Sequence, residues 1–181
     1  MAKVPTKISP SYLENAALHY LERYASSSNN LKRVLLRKVD RSIAHWGGER
    51  ESYTAQVDAT IAKLARLGYL DDSAYAGMKA RSLHRQGKGS RTIRAALAAK
   101  GIDAELTAAA LDALTDEVGD PEFTAAVKLA RKRKLGPFRP VGRAEMRNKD
   151  LAVLARAGFD FGTARRVIEA ESPEALEAEL G

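Results

Sequence analysis

One punctuation pattern occurs twice along the chain and restricts its fold more than any other feature. Leu97-x-x-Lys100-Gly101-Ile102-Asp103 reappears as Leu154-x-x-Ala157-Gly158-Phe159-Asp160, with Leu111 falling opposite Ile168. Each residue type has a reason to be where it is. A glycine just past a helix takes the left-handed conformation that ends it, the next apolar residue packs back, and the aspartate caps the helix that follows. A chain that repeats helix, glycine stop, apolar residue and cap is built from one helical unit used more than once.

Hydrophobic periodicity extends this reading. Tyr12, Leu13, Ala16, Ala17, Tyr20, Leu21 and Tyr24 recur at helical spacing, and Ser26-Ser27-Ser28-Asn29-Asn30 breaks that helix and offers caps for the next. A second helix carries Leu31, Val34 and Leu35 and runs toward Trp46 before Gly47-Gly48; a third shows Tyr53, Val57, Ile61, Leu64 and Leu67 before Gly68. The pattern recurs over Asp72 to Gln86, Ser90 to Lys100 and Asp103 to Val118, and a third set opens at Pro121, a favourable first-turn proline. Expected are a flexible arm over 1–10 and three-helix units over 11–68, 69–119 and 120–181. A unit of roughly 50 residues is marginal alone, so stacking is the expected solution. The fold class is all-α: an elongated, curved array of three tandem, helix-turn-helix-like repeats.

Composition supports helices and narrows the chemistry. Aromatics are 6% of 181 residues while alanine and leucine abound, and unbranched side chains lose little rotamer freedom in a helix. No cysteine is present, which excludes disulfides and thiolate chemistry within this sequence and agrees with a reducing, cytoplasmic setting. No stretch approaches the ~18 apolar residues of a membrane span, so no membrane partner is expected. His19, His45 and His84 lie far apart without the spacing of a metal site; no metal, cofactor or catalytic residue is expected.

A net charge of +7 with pI ≈ 9.7 calls for an acidic partner. From Lys79 through Lys100 there are seven cations and no acid. Repulsion among such side chains stays uncompensated unless a partner supplies negative charge. Within this run, Gly87-Lys88-Gly89 is a helix connection that could present Lys88, or offer amides to a phosphate at the start of the next helix. It lacks the longer loop and Ser or Thr of a nucleotide-hydrolysing P-loop. Arg91 and Arg94 lie three apart on one helix, with Ile93 and Leu97 facing the core. A second basic block, Lys128, Arg131, Lys132, Arg133 and Lys134 continued by Arg139, Arg143, Arg147 and Lys149, could track a phosphate backbone. Only Phe138 stands near it for base stacking. Asp71 and Asp72 read as helix caps in preference to a catalytic carboxylate pair, and Trp46 as a helix-end packing residue.

Gly68-Tyr69-Leu70-Asp71-Asp72, followed by Arg85-Gln86-Gly87-Lys88-Gly89-Ser90-Arg91-Thr92-Ile93-Arg94 and then Leu97, Lys100, Gly101 and Ile102, resembles the RecX family of regulators of the RecA recombinase. The resemblance covers most of residues 12 to 170. It implies a non-enzymatic modulator, mainly an inhibitor; separately, an elongated monomer is expected. Such a protein binds the RecA nucleoprotein filament and suppresses its ATPase, strand-exchange and co-protease activities, restraining the DNA damage response. Arg81, Arg85, Lys88, Arg91, Arg94 and Lys100 are then the expected contacts, with Lys132 and Arg133 next. Weak non-specific DNA binding is compatible with this. Three-helix units with a basic second helix also describe autonomous helix-turn-helix DNA-binding proteins, which is the alternative.

Overall fold

The computed structural model describes residues 4–180. Among the described residues there are ten α-helices, one short 3-10 turn and no strand, as the all-α reading anticipates. The helices are α1 (Pro10–Leu21), α2 (Ser28–Trp46), α3 (Arg50–Arg66), α4 (Asp72–Arg85), α5 (Ser90–Ala98), α6 (Ala104–Val118), α7 (Pro121–Arg133), α8 (Arg143–Ala157), α9 (Phe161–Glu169) and α10 (Pro173–Glu179). The chain packs into two compact bodies. The first runs to Tyr75 and includes Lys100–Ile102; the second comprises Ala76–Ala99 and Asp103 onward.

The caps expected from sequence form. Ser27 accepts from the Asn30 N–H to start α2, Asp103 from Leu106 to start α6, Asp120 from Phe123 to start α7, and Asp160 from Thr163 to start α9. Asp71 accepts from the Ala74 N–H and starts α4. In the first body Leu13, Leu31, Leu35, Val39, Val57 and Leu64 form the core, each contributing about 1.5–3 kcal/mol through burial. In the second, Phe123, Leu154, Phe159, Val167, Ile168 and Leu176 do the same.

Three sequence expectations are corrected. The arm over 1–10 lies outside the described residues for 1–3. Beyond them Ile8 is buried, and Pro5 accepts a hydrogen bond from the Trp46 indole N–H at 2.8 Å, so this stretch packs on the first body. Leu67 does not join the apolar stripe of α3: it is 58% exposed, because it sits at the C-cap where the chain turns away. The second basic block is not a continuous track. Arg131 pairs with Glu177, Arg139 with Asp150 and Arg147 with Glu169, while Arg143 donates to the carbonyls of Ile168, Ala170 and Glu171 at the end of α9. Four of its cations are consumed inside the fold.

Candidate basic interaction site

The turn between α4 and α5 is built first by backbone geometry. The Lys88 N–H donates to the Leu83 carbonyl and the Gly87 N–H to the His84 carbonyl, the pair of bonds that closes a helix through a left-handed residue. That residue is Gly87, at φ +73°. Gly89 is required for another reason: a Cβ there would stand 2.5 Å from the Gly158 carbonyl carbon. The chain needs that approach because the first amides of α5 are satisfied by the end of α8. The Gly89 N–H donates to the Ala157 carbonyl at 3.0 Å and the Arg91 N–H to the Gly158 carbonyl at 3.3 Å. Thr92 Oγ1 donates to the Ala157 carbonyl at 2.9 Å, and the Ser90 N–H to Glu122 Oε2 at 2.8 Å. The Gly89, Ser90 and Arg91 amides are therefore occupied within the fold and are not open to a phosphate.

What the turn does present is Lys88. With Gln86 and Gly87 it forms one wall of a cleft of about 450 Å³, whose other walls carry Lys132 and Arg133 from the last turn of α7 and Arg156 from the last turn of α8. Leu129, Val153 and Ala157 supply an apolar floor, and no carboxylate lines the cleft. None of the four cations has an ion-pair partner among the described residues. Cations at helix ends also complement the dipoles of α7 and α8. That accounts for each one singly. Their convergence on one concavity is a separate fact, and its chemistry is that of an anion receptor: point charges over a floor that excludes part of the water.

The other expected contacts are distributed differently. Arg85, Arg91 and Arg94 are exposed, the last two on the outer side of α5, and carry no ion pair. Arg94 and Lys88 also border a second concavity where Asp112, Glu122 and Asp160 supply acid, so its field is mixed. Arg81 is held by Glu117 at 3.0 Å. Lys100 belongs to the first body, where its Nζ donates to Asn30 Oδ1 at 3.2 Å and its carbonyl accepts from Ser27 Oγ at 2.5 Å. Lys88, Lys132 and Arg133 are thus brought together, and Lys100 is spent on structure. Arg156 is absent from the sequence expectation. The internal repeat gave no signal for it, since the middle unit has Ala99 at the matching position.

His84 lies close by at the end of α4. Burial lowers its pKa, partly offset by the hydrogen bond its Nε2 makes to the Pro121 carbonyl at 2.9 Å; Lys128 and Arg85 push it down further and Glu122 up. No group of three or more His, Cys, Asp or Glu is placed to hold a metal among the described residues. Nor is any described helix long and apolar enough to cross a membrane.

The chain has relatives among known proteins. Regulatory protein RecX of Myxococcus xanthus (strain DK1622) is 54% identical over 169 residues, which span 92% of this chain and 89% of that one. The chain belongs to the RecX family. Regulatory protein RecX of Agrobacterium fabrum (strain C58 / ATCC 33970) is 33% identical across 94% of this chain and 89% of its own. The family model for the second three-helix domain of RecX matches residues 71–111, the segment from the Asp71 cap into α6. Among solved structures, RecX from Lactobacillus salivarius superposes with a TM-score of 0.64 at 26% identity, covering 88% of this chain and 94% of that one. A second RecX regulatory protein superposes at 0.67 with 23% identity, over 89% and 72% of the two chains, and speaks for the fold alone.

Proposed function

We propose that this chain is a non-enzymatic modulator, mainly an inhibitor, of the RecA recombinase. It binds the RecA–DNA filament and suppresses its ATPase, strand-exchange and co-protease activities. The observation that carries the reading is the cleft of Lys88, Lys132, Arg133 and Arg156, four unpaired cations with no acid among them, in a member of a family of regulatory proteins. A nucleoprotein filament offers such a surface both acidic side chains and phosphates. Arg85, Arg91 and Arg94 on the exposed side of α4 and α5 extend the contact, while Arg81 and Lys100 bear on it less because their charges are engaged within the fold. The protein works in the cytoplasm as a monomer, in helical units over 11–68, 69–119 and 120–181, the first two of three helices and the last of four, α7 to α10. Support for these bounds comes from the left-handed glycines at 68 and 119 and from the match of the middle unit to a three-helix domain.

The test is the single-strand-DNA-dependent ATPase rate of the cognate RecA, titrated with this protein below one per recombinase. The expected result is inhibition at substoichiometric ratios, with strand exchange falling in parallel. An unchanged rate beside tight, salt-dependent duplex binding would reject the proposal in favour of an autonomous DNA-binding protein.

A further inference from the structure

The first body carries a second cationic concavity, and its composition differs from the cleft in the other body. It lies between α1 and α2 with a volume of about 240 Å³ and is lined by Arg37, Lys38 and Arg41 of α2, by His19 and Arg23 from the end of α1, and by the rings of Tyr20 and Tyr24. The α2 residues are set by helix geometry, since Arg37 and Arg41, four apart, lie one above the other about 6 Å along the axis. Arg41 Nε donates to the Arg37 carbonyl at 3.2 Å, which fixes the guanidinium while leaving its other donors unused. Arg23, Arg37 and Lys38 have no ion-pair partner among the described residues. The acids near α2 are spent elsewhere: Asp40 on Arg50 at 3.0 Å and Asp58 on Lys32 at 2.5 Å. One carboxylate stands at the rim, Glu22, 3.7 Å from His19.

The aromatic part separates this groove from an ordinary solvated face. Tyr24 follows α1 and is 57% exposed, which leaves the face of its ring open to a partner. It is not loose. Its N–H donates to the Tyr20 carbonyl at 3.0 Å, and its ring leans on that of Tyr20 with centroids 5.1 Å apart and planes tilted by 42°. Tyr20 is itself pinned, its hydroxyl accepting from Asn30 Nδ2 at 3.2 Å. A braced, open π-face beside a row of unpaired cations is the combination that holds a single nucleic-acid strand, with phosphates along the charges and an unpaired base on the ring. A duplex keeps its bases stacked inside and an acidic peptide has no flat face to offer, so neither would use Tyr24.

We infer that the α1–α2 groove is a single-stranded nucleic-acid site in which Arg37, Lys38 and Arg41 take the phosphates and Tyr24 stacks a base. It is independent of the cleft proposal and is tested without any recombinase. The full chain is titrated against fluorescein-labelled oligothymidylate by anisotropy over a salt series, with oligouridylate, a duplex and an abasic deoxyribose-phosphate strand as comparators. Tyr24→Ala is expected to weaken oligothymidylate binding by about 5- to 100-fold with the salt slope unchanged, to leave the abasic strand unaffected, and to be rescued by Tyr24→Trp. Arg37→Ala with Arg41→Ala should flatten the slope of log affinity against log salt by about 1.4. Both positions are exposed, so circular dichroism should show every variant folded. Photo-crosslinking from 5-iodouracil should place adducts on Tyr24 or Tyr20. Preference for deoxyribose or ribose strands tells which nucleic acid is bound, and either supports the site. Unchanged binding by Tyr24→Ala, tighter binding of duplex than of single strand, or adducts confined to other residues overturns it.

Discussion

Asp150 is the charged residue on which the second body depends most visibly. Its side chain is 2% exposed, and its carboxylate accepts from the Gly136 N–H at 2.9 Å and from Arg139 at 2.6 and 3.2 Å. Removing one partner of a buried pair leaves the other without compensation, which costs about 3–5 kcal/mol. Arg139→Ala should therefore lower the denaturation midpoint, whereas Arg139→Lys should recover part of the loss. Nothing in the sequence marks this pair, because residues eleven apart meet only through the left-handed turn at Gly142 and the opening turns of α8. His84 gives a pH signature at the same scale. Its folded pKa is lowered, so the unfolded chain takes up the proton first as pH falls, and stability present above about pH 6.5 is lost below it. Thermal melting should accordingly drop between pH 7.5 and 5.5, and His84→Gln should flatten that dependence.

Helix junctions are where the sequence spoke most clearly and where it also misled. Two middle helices begin in the same way. The Ser28 N–H of α2 donates to Asp72 Oδ1 at 2.7 Å, and the Ser90 N–H of α5 donates to Glu122 Oε2 at 2.8 Å, each carboxylate coming from the first turn of a later helix. In each case the carbonyl before a turn glycine is also engaged, Lys100 by Ser27 Oγ and Ala157 by the Gly89 N–H. Asp72 was legible as a helix-start residue, but its partner was not, because a local cap and a cap on a distant helix look alike in sequence. The Gly-apolar-Asp punctuation was legible because the helix stop and the aspartate cap are local, as at Asp103 to the Leu106 N–H and Asp160 to the Thr163 N–H. Gly89→Ala tests the close approach: φ of −74° suits alanine, so any loss, about 3 kcal/mol, comes from the clash with Gly158. Lys134 tests the opposite case. It ends α7 at φ +54°, the one non-glycine residue with positive φ among those described, and Lys134→Gly should raise stability by about 1 kcal/mol in chemical denaturation.

For the molecule as a whole, the excess of positive charge resolves into cations with internal work and cations without. Arg81, Arg131, Arg139, Arg143 and Arg147 have partners within the fold, while Lys88, Lys132, Arg133 and Arg156 gather in one cleft. Composition predicts an acidic partner, and only the tertiary structure could sort the two groups, since both are drawn from the same basic runs. Arg133 and Lys134 are neighbours in sequence, yet one lines the cleft and the other closes a helix. The central claim is that the cleft is the regulatory contact. Its most direct test is the affinity of the full chain for a preformed filament of the cognate RecA on single-stranded DNA, comparing the native protein with the Lys88→Ala, Lys132→Ala, Arg133→Ala, Arg156→Ala variant at one fixed salt concentration. The account predicts a loss of affinity of at least about tenfold, with circular dichroism unchanged, since these charges have no ion-pair partner among the described residues. Equal affinity of the two proteins for the filament would contradict it.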